Sequence, residues 1–153
     1  MTQQSDPAQA FGLGAIDQIS FAVTDMDEAL PRYTAMFGPF TSFEVPDLEA
    51  IVHGEPTKTT LKLGFGRTGD VEVELVEVRN GSWPTVAWLE ERGEGLHHVR
   101  YPVDDLEATR DEMVSAGFVV TLESADRKSF AYLESPMLNG MTVELICMPR
   151  KES

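Results

Sequence analysis

Two carboxylates, one imidazole and one side-chain amide stand at matching places in four alternating stretches of this chain. In residues 71–76, Val71, Val73 and Leu75 share one face of a strand and leave Glu72 and Glu74 on the other; in residues 141–146, Met141, Val143 and Leu145 leave Thr142 and Glu144 opposite. Val99, Tyr101 and Val103 likewise leave His98 and Arg100, while Ile19, Phe21 and Val23 leave Gln18. Gln18, Glu74, His98 and Glu144 are therefore all expected on the strand face turned away from the helices. Curling those strands together encloses an amide oxygen, an imidazole and two carboxylates in one cleft, a donor set that suits a divalent ion of hard to borderline character. Each member alone carries little signal. A strand Glu is usually just solvated, which is the expectation for Glu72, Glu77 and Glu134, and alternation assigns His97, beside His98, to packing. His53 is expected on a surface loop. Arg100 and Lys62 share the cleft faces, where either could meet an anionic substrate or pair with an acidic neighbour.

The elements that must position these residues occur twice. Laying Gln18 on His98 brings Ile19 onto Val99, Phe21 onto Tyr101, Val23 onto Val103 and Asp25 onto Asp105; laying residues 71–76 on 141–146 brings Glu74 onto Glu144. Residues 16–23 alternate as a half-buried strand. Asp25, with Glu28 three residues on, reads as a helix N-cap, and Met26, Ala29, Leu30, Tyr33 and Phe37 keep helical spacing up to Gly38. Pro31 should bend this helix or delay its start. Residues 40–45 read as a strand, 46–56 as a loop, and 59–65 with 71–78 as a hairpin turning at Gly66, Arg67, Thr68, Gly69 and Asp70.

Residues 80–95 form the join, with a turn at Asn80-Gly81 and a short helix through Val86, Trp88 and Leu89. In the second half a strand over 96–103 leads to Asp104 or Asp105 as cap of a helix carrying Leu106, Thr109, Met113 and Val114, which stops at Gly117. Strands over 118–122, 130–134 and 141–148 follow, the last two joined by a turn containing Pro136, Asn139 and Gly140. The expected organisation is a flexible tail over 1–14, a βαβββ module over 15–80, a linker over 81–94 and a second βαβββ module over 95–150. Together they make one α+β domain over 15–150.

Composition narrows the function from the other side. The 153 residues are 42% hydrophobic, enough for a sizeable core, and carry a net charge of -14. Such an acidic chain is not expected to bind nucleic acid or an anionic membrane, because both need cationic side chains in quantity. The single Cys147 cannot form an internal disulfide and sits beside Leu145 in a strand pattern, so it reads as a packed thiol. Residues 1–14 have neither a basic start nor an apolar run, and no anchor or transmembrane run appears, so a cytoplasmic location is expected.

The opening Asp17-Gln18-Ile19-Ser20-Phe21-Ala22-Val23-Thr24-Asp25-Met26, the stretch Gly93-Glu94-Gly95-Leu96-His97-His98-Val99 followed by Val103-Asp104-Asp105-Leu106, and the closing Val143-Glu144-Leu145-Ile146 resemble the vicinal oxygen chelate superfamily, also called glyoxalase/bleomycin resistance/dioxygenase. The central stretch is closest to its epimerase-like and glyoxalase branch. The resemblance implies two curled mixed β-sheets around a metal-binding cleft, with Gln18, Glu74, His98 and Glu144 as ligands to one divalent ion (Zn, Ni, Co or Mn). It also implies a homodimer acting on a small molecule. A lyase or isomerase of the glyoxalase or epimerase type is expected, moving a proton next to a carbonyl through a metal-stabilised enolate, with Glu144 and then Glu74 as proton carriers. In the epimerase pattern a third-strand Glu serves as second base, and residues 59–63, Thr-Thr-Leu-Lys-Leu, contain none. Gln18 stands where the epimerases commonly have His, and the resulting set is similar to that of animal glyoxalase I. The alternatives are a metal-free small-molecule-binding protein of the resistance type and, further off, an extradiol dioxygenase, which would need a second His where Gln18 stands.

Overall fold

Asp25 starts the first helix as its position predicts: its side chain accepts a hydrogen bond from the Glu28 backbone N–H at 3.1 Å. The computed structural model, which describes residues 10–148, places strand β1 at Gln18–Ala22 and helix α1 at Met26–Phe37. Gly38 ends α1 at φ 84°, a backbone state that strains any residue with a Cβ. Pro31 neither delays nor splits the helix. Strands β2 (Thr41–Val52), β3 (Glu55–Thr68) and β4 (Val71–Asn80) follow. Helix α2 (Pro84–Arg92) fills the join. After it come β5 (Gly95–Val103), α3 (Leu106–Ser115, capped by Asp105), β6 (Val119–Ser124), β7 (Phe130–Glu134) and β8 (Thr142–Cys147).

The eight strands close into one barrel in the order β1-β4-β3-β2-β6-β7-β8-β5. Pairs β1·β4 and β5·β8 are parallel and the remaining neighbours antiparallel, giving the mixed, curled sheet that the repeated pattern predicts. The halves meet at two seams. At one, β1 pairs with β5 from Gln18↔Arg100 to Ala22↔Gly95; at the other, β2 pairs with β6 through Ala50, Ile51 and Val52 only.

Helices α1 and α3 cover the outside. Met26 and Ala29 pack with Val23 and Leu75, while Leu106 and Met113 pack with Phe118, Leu133, Val143 and Leu145. A third cluster, including Leu61, Val76, Trp83, Leu122 and Tyr132, fills the space between β2, β3, β4, β6 and β7. Glu77 is not solvated as expected. It is buried at 5% exposure, and its carboxylate accepts from the Met26 N–H at 2.6 Å and from Arg79 at 2.9 Å, so it serves the N-terminus of α1.

The segment expected as a loop over residues 46–56 is instead two paired strands. A bulge between Val45 and Leu48 absorbs Pro46 and Asp47, and the chain reverses at His53 and Gly54, with φ 49° and 81°, in a two-residue turn of the kind that suits the strand twist. His53 is exposed at that turn. Of the expected tail, residues 1–9 lie outside the described residues, whereas Phe11 and Leu13 pack onto the α3 cluster, Phe11 edge-on to Phe118 at 5.9 Å. Cys147 is half-buried, its thiol 3.6 Å from the Asp104 carbonyl oxygen. Among the described residues no helix is long and apolar enough to cross a membrane.

Candidate functional site

Gln18 on β1, Glu74 on β4, His98 on β5 and Glu144 on β8 come from four neighbouring strands, and all four are buried, between 0% and 9% exposed. They fall on one side of the sheet because the register of β1 with β4 (Ser20↔Glu74) repeats in that of β5 with β8 (Arg100↔Glu144). His98 Nε2 lies 3.0 Å from Glu144 Oε1 and 3.8 Å from Glu74 Oε1. The 3.0 Å contact is close but out of hydrogen-bond alignment, leaving Nε2 buried without a hydrogen-bond partner.

Gln18 is held by Glu72, which is not the merely solvated strand carboxylate its position suggests. Its amide N–H donates to Glu72 Oε1 at 2.7 Å, so the amide oxygen is the free end, buried and unpartnered. Glu74 is fixed in turn by the Ser20 hydroxyl, which donates to it at 2.8 Å. Burial, together with the charge of Glu144, pushes the Glu74 carboxyl up to about 7, against the opposing pull of His98, the Ser20 hydroxyl and Arg100.

His97 packs as expected, 2% exposed against Trp88 and Tyr132, but not by simple alternation. The β1·β5 register passes from Ser20↔His98 to Phe21↔Leu96, so His97 is the extra residue of a bulge, and alternation fails there. Its Nδ1 is 2.9 Å from His98 Nδ1, with one nitrogen donating and the other accepting. Burial, with a smaller contribution from His98, lowers His97 to about 3 and keeps it neutral. With the shared proton on His98 Nδ1, the lone pair of His98 Nε2 is free to bind.

The two cationic candidates divide. Arg100 stays near the cluster, its guanidinium on Asp17 at 2.8 and 3.2 Å and 3.8 Å from Glu72. Lys62 does not join it. It pairs with Asp27 of α1 at 3.2 Å, on the opposite side of β3 from Leu61 and Leu63.

A cavity of about 130 Å³ opens against Glu74 and Glu144, walled by Leu48, Leu61, Leu63 and Phe130 together with Trp83 and Tyr132. Tyr132 is not singled out by the sequence, whereas Trp83 is an aromatic of the join and packs across to the second half on Tyr132. Tyr132 sits in Phe130-Ala131-Tyr132-Leu133, which reads as plain strand core; a polar-tipped aromatic in an apolar stretch is its only signal.

A family model described as the glyoxalase/bleomycin resistance protein/dioxygenase superfamily matches residues 17–132. Among curated proteins, the uncharacterized protein YqjC of Bacillus subtilis is 27% identical over 143 residues, covering 90% of this chain and 94% of its own. An ethylmalonyl-CoA/methylmalonyl-CoA epimerase of Cereibacter sphaeroides is 26% identical over 141 residues, covering 87% and 97%. Among solved structures, a hypothetical protein of Bacillus halodurans superposes with a TM-score of 0.62 at 21% identity, over 91% of this chain and 97% of that one. Methylmalonyl-CoA epimerase of Mycobacterium tuberculosis gives 0.56 at 19%, over 91% and 90%. These structures share the fold.

Proposed function

Because the chain belongs to the glyoxalase/bleomycin resistance protein/dioxygenase superfamily, we propose that it is a divalent-metal-dependent isomerase or lyase that moves a proton on the carbon beside a carbonyl. The observation that supports this most is the buried meeting of His98 Nε2 with Glu74 and Glu144, beside the free amide oxygen of Gln18. By donor type the four residues fit a divalent ion such as Zn, Ni, Co or Mn. Two of the atoms that would hold it, Gln18 Oε1 and His98 Nε2, are orphaned, and a buried orphan costs roughly 1–3 kcal/mol that a bound ligand would relieve. By spacing the set is not assembled: among the described residues no group of three His, Cys, Asp or Glu is placed so as to hold an ion. Glu74 and Glu144 would have to turn from Ser20 and the His98 ring to complete it. When bound, the ion supplies a Lewis acid beside the substrate carbonyl.

The remaining chemistry belongs to the chain. Glu144 faces the cavity and takes the carbon-bound proton; Glu74, poised to gain or lose a proton near neutral pH, is the second carrier. β3 contributes only Leu61 and Leu63 to the cavity, so no base arises from that wall. Both carboxylates are largely buried, Glu74 at 9% and Glu144 at 8% exposure. The curated epimerase relative supports acyl thioesters as the substrates to try first. The protein is proposed to work in the cytoplasm as a homodimer; sedimentation that finds only monomer at micromolar concentration refutes the dimer.

Exchange of a carbon-bound proton in deuterated water, followed over acyl thioesters and 2-oxo thiohemiacetals, tests the reading. Glu144→Gln should lose about 10² to 10⁴-fold in exchange while still binding metal, since it keeps an oxygen donor and loses the base. His98→Ala should lower metal affinity first. A protein purified without chelator that carries no divalent ion and binds small molecules unchanged after chelation would instead be a sequestering protein.

A further inference from the structure

The cavity beside the carboxylates has a second polar wall that proton transfer does not use. Trp83, 5% exposed, is among the residues that line the cavity, and its buried Nε1–H has no hydrogen-bond partner. Tyr132, 4% exposed, lies edge to face with it, ring centroids 6.2 Å apart at 84°. Tyr132 also packs on the His98 ring, centroids 4.7 Å apart, and a phenol carries an O–H donor. The indole N–H is buried without a partner, and the Tyr132 phenol beside it carries the second donor of this wall. Between this wall and the carboxylates the lining is aliphatic and aromatic.

Charge decides what can enter. No cationic side chain lines the cavity among the described residues, and the nearby guanidinium of Arg100 is taken by Asp17. Glu74 and Glu144 already line the cavity, so a ligand bringing its own carboxylate would be buried beside two acidic side chains with no cationic partner, at high cost. Size is the other limit: about 130 Å³ is the share of roughly four waters.

We propose that this cavity selects a short, uncharged aliphatic acyl group, with Tyr132 O–H and Trp83 N–H donating to its carbonyl oxygen. The inference rests on the proton-transfer reading for what happens to the group once bound, and only for that. It separates this chain from the curated relative named for ethylmalonyl-CoA and methylmalonyl-CoA, whose acyl groups carry a carboxylate.

Trp88→Phe leaves Trp83 as the only one of the two tryptophans and makes its fluorescence a direct report on the cavity. The probes are the isobutyryl and methylmalonyl thioesters of N-acetylcysteamine, which differ by a methyl in place of a carboxylate. Isobutyryl thioester should shift the Trp83 emission saturably and bind at least about tenfold tighter than the methylmalonyl thioester. Tyr132→Phe, which keeps the ring, should weaken that binding about five- to tenfold, as loss of one hydrogen bond implies, with the melting temperature nearly unchanged. Calorimetry on the unsubstituted protein gives the same comparison if Trp88→Phe does not fold. Equal or tighter binding of the methylmalonyl thioester, no binding of the isobutyryl thioester, or parental binding by Tyr132→Phe overturns the inference. Isobutyryl binding that depends on Tyr132, with no proton exchange on either thioester, supports the inference and sinks the proton-transfer reading; exchange on the methylmalonyl thioester alone does the reverse.

Discussion

Gln18 presents an oxygen to the site rather than an N–H because Glu72 holds the other end of its amide. A neutral amide is a weak donor, so its fixed direction matters more than its strength. Glu72→Ala should therefore reduce divalent-ion affinity by about 10 to 100-fold with Gln18 itself untouched, measured by calorimetric titration with Zn or Mn; unchanged affinity would show that Glu72 orients nothing. The four proposed ligands were legible in the sequence because strand alternation is rigid wherever pairing is regular, as at Gln18, Glu74 and Glu144. The contact of His97 with His98 was not, since a bulge turns on one backbone insertion that side-chain type does not announce. Glu72 and Glu77 were misread for a different reason: a carboxylate in a strand looks the same whether it meets water, an amide N–H or the start of a helix.

At the scale of elements, turns and caps carried the reading where they used Asp and Gly, and misled it where Pro intervened. Asp25 and Asp105 cap α1 and α3 as their spacing implies. Residues 46–56 were lost as strand because Pro46 and Pro56 bracket them, yet Pro46 falls in the bulge and Pro56 begins just past the turn, where a missing N–H is tolerated. Gly81 shows what a turn can require. At φ 101°, a Cβ there would come within 2.6 Å of the Lys58 carbonyl oxygen and 2.8 Å of Thr59 Oγ1. Gly81→Ala should destabilise by about 1–3 kcal/mol in chemical denaturation, through strain and a broken approach of β3 to the join.

The β6–β7 turn offers a pH test. Asp126 accepts from the Lys128 N–H and from the Ser129 and Ser124 hydroxyls, which hold its carboxyl well below the usual range of 3.8. A depressed carboxyl stabilises the fold above its unfolded value and loses that contribution as pH falls through and below it. Asp126→Ala should thus melt below the parent at pH 7, with the gap closing as pH drops beneath about 3.8. A constant gap would mean the charge contributes nothing.

For the whole molecule, the proposed site exists only when both halves are in place. Gln18 and Glu74 come from one half, His98 and Glu144 from the other, and the β1·β5 seam sets them side by side. We propose that 15–80 and 95–150 are the structural modules, with 81–94 as their link. Separately produced halves should each lack metal binding and regain it on mixing, as read by calorimetry; binding by either half alone would refute the shared site.

That same closure sets a clock on folding. Its partners are remote along the chain: Gln18 meets Glu72 54 residues away, and Asp17 meets Arg100 83 away. Contacts of such separation form only after long loops have been drawn in, before any local reward is collected. Refolding from denaturant should accordingly be slow, in milliseconds to seconds rather than microseconds. It should be slower still in variants that weaken the three-residue pairing of β2 with β6, if that seam forms in the rate-limiting step.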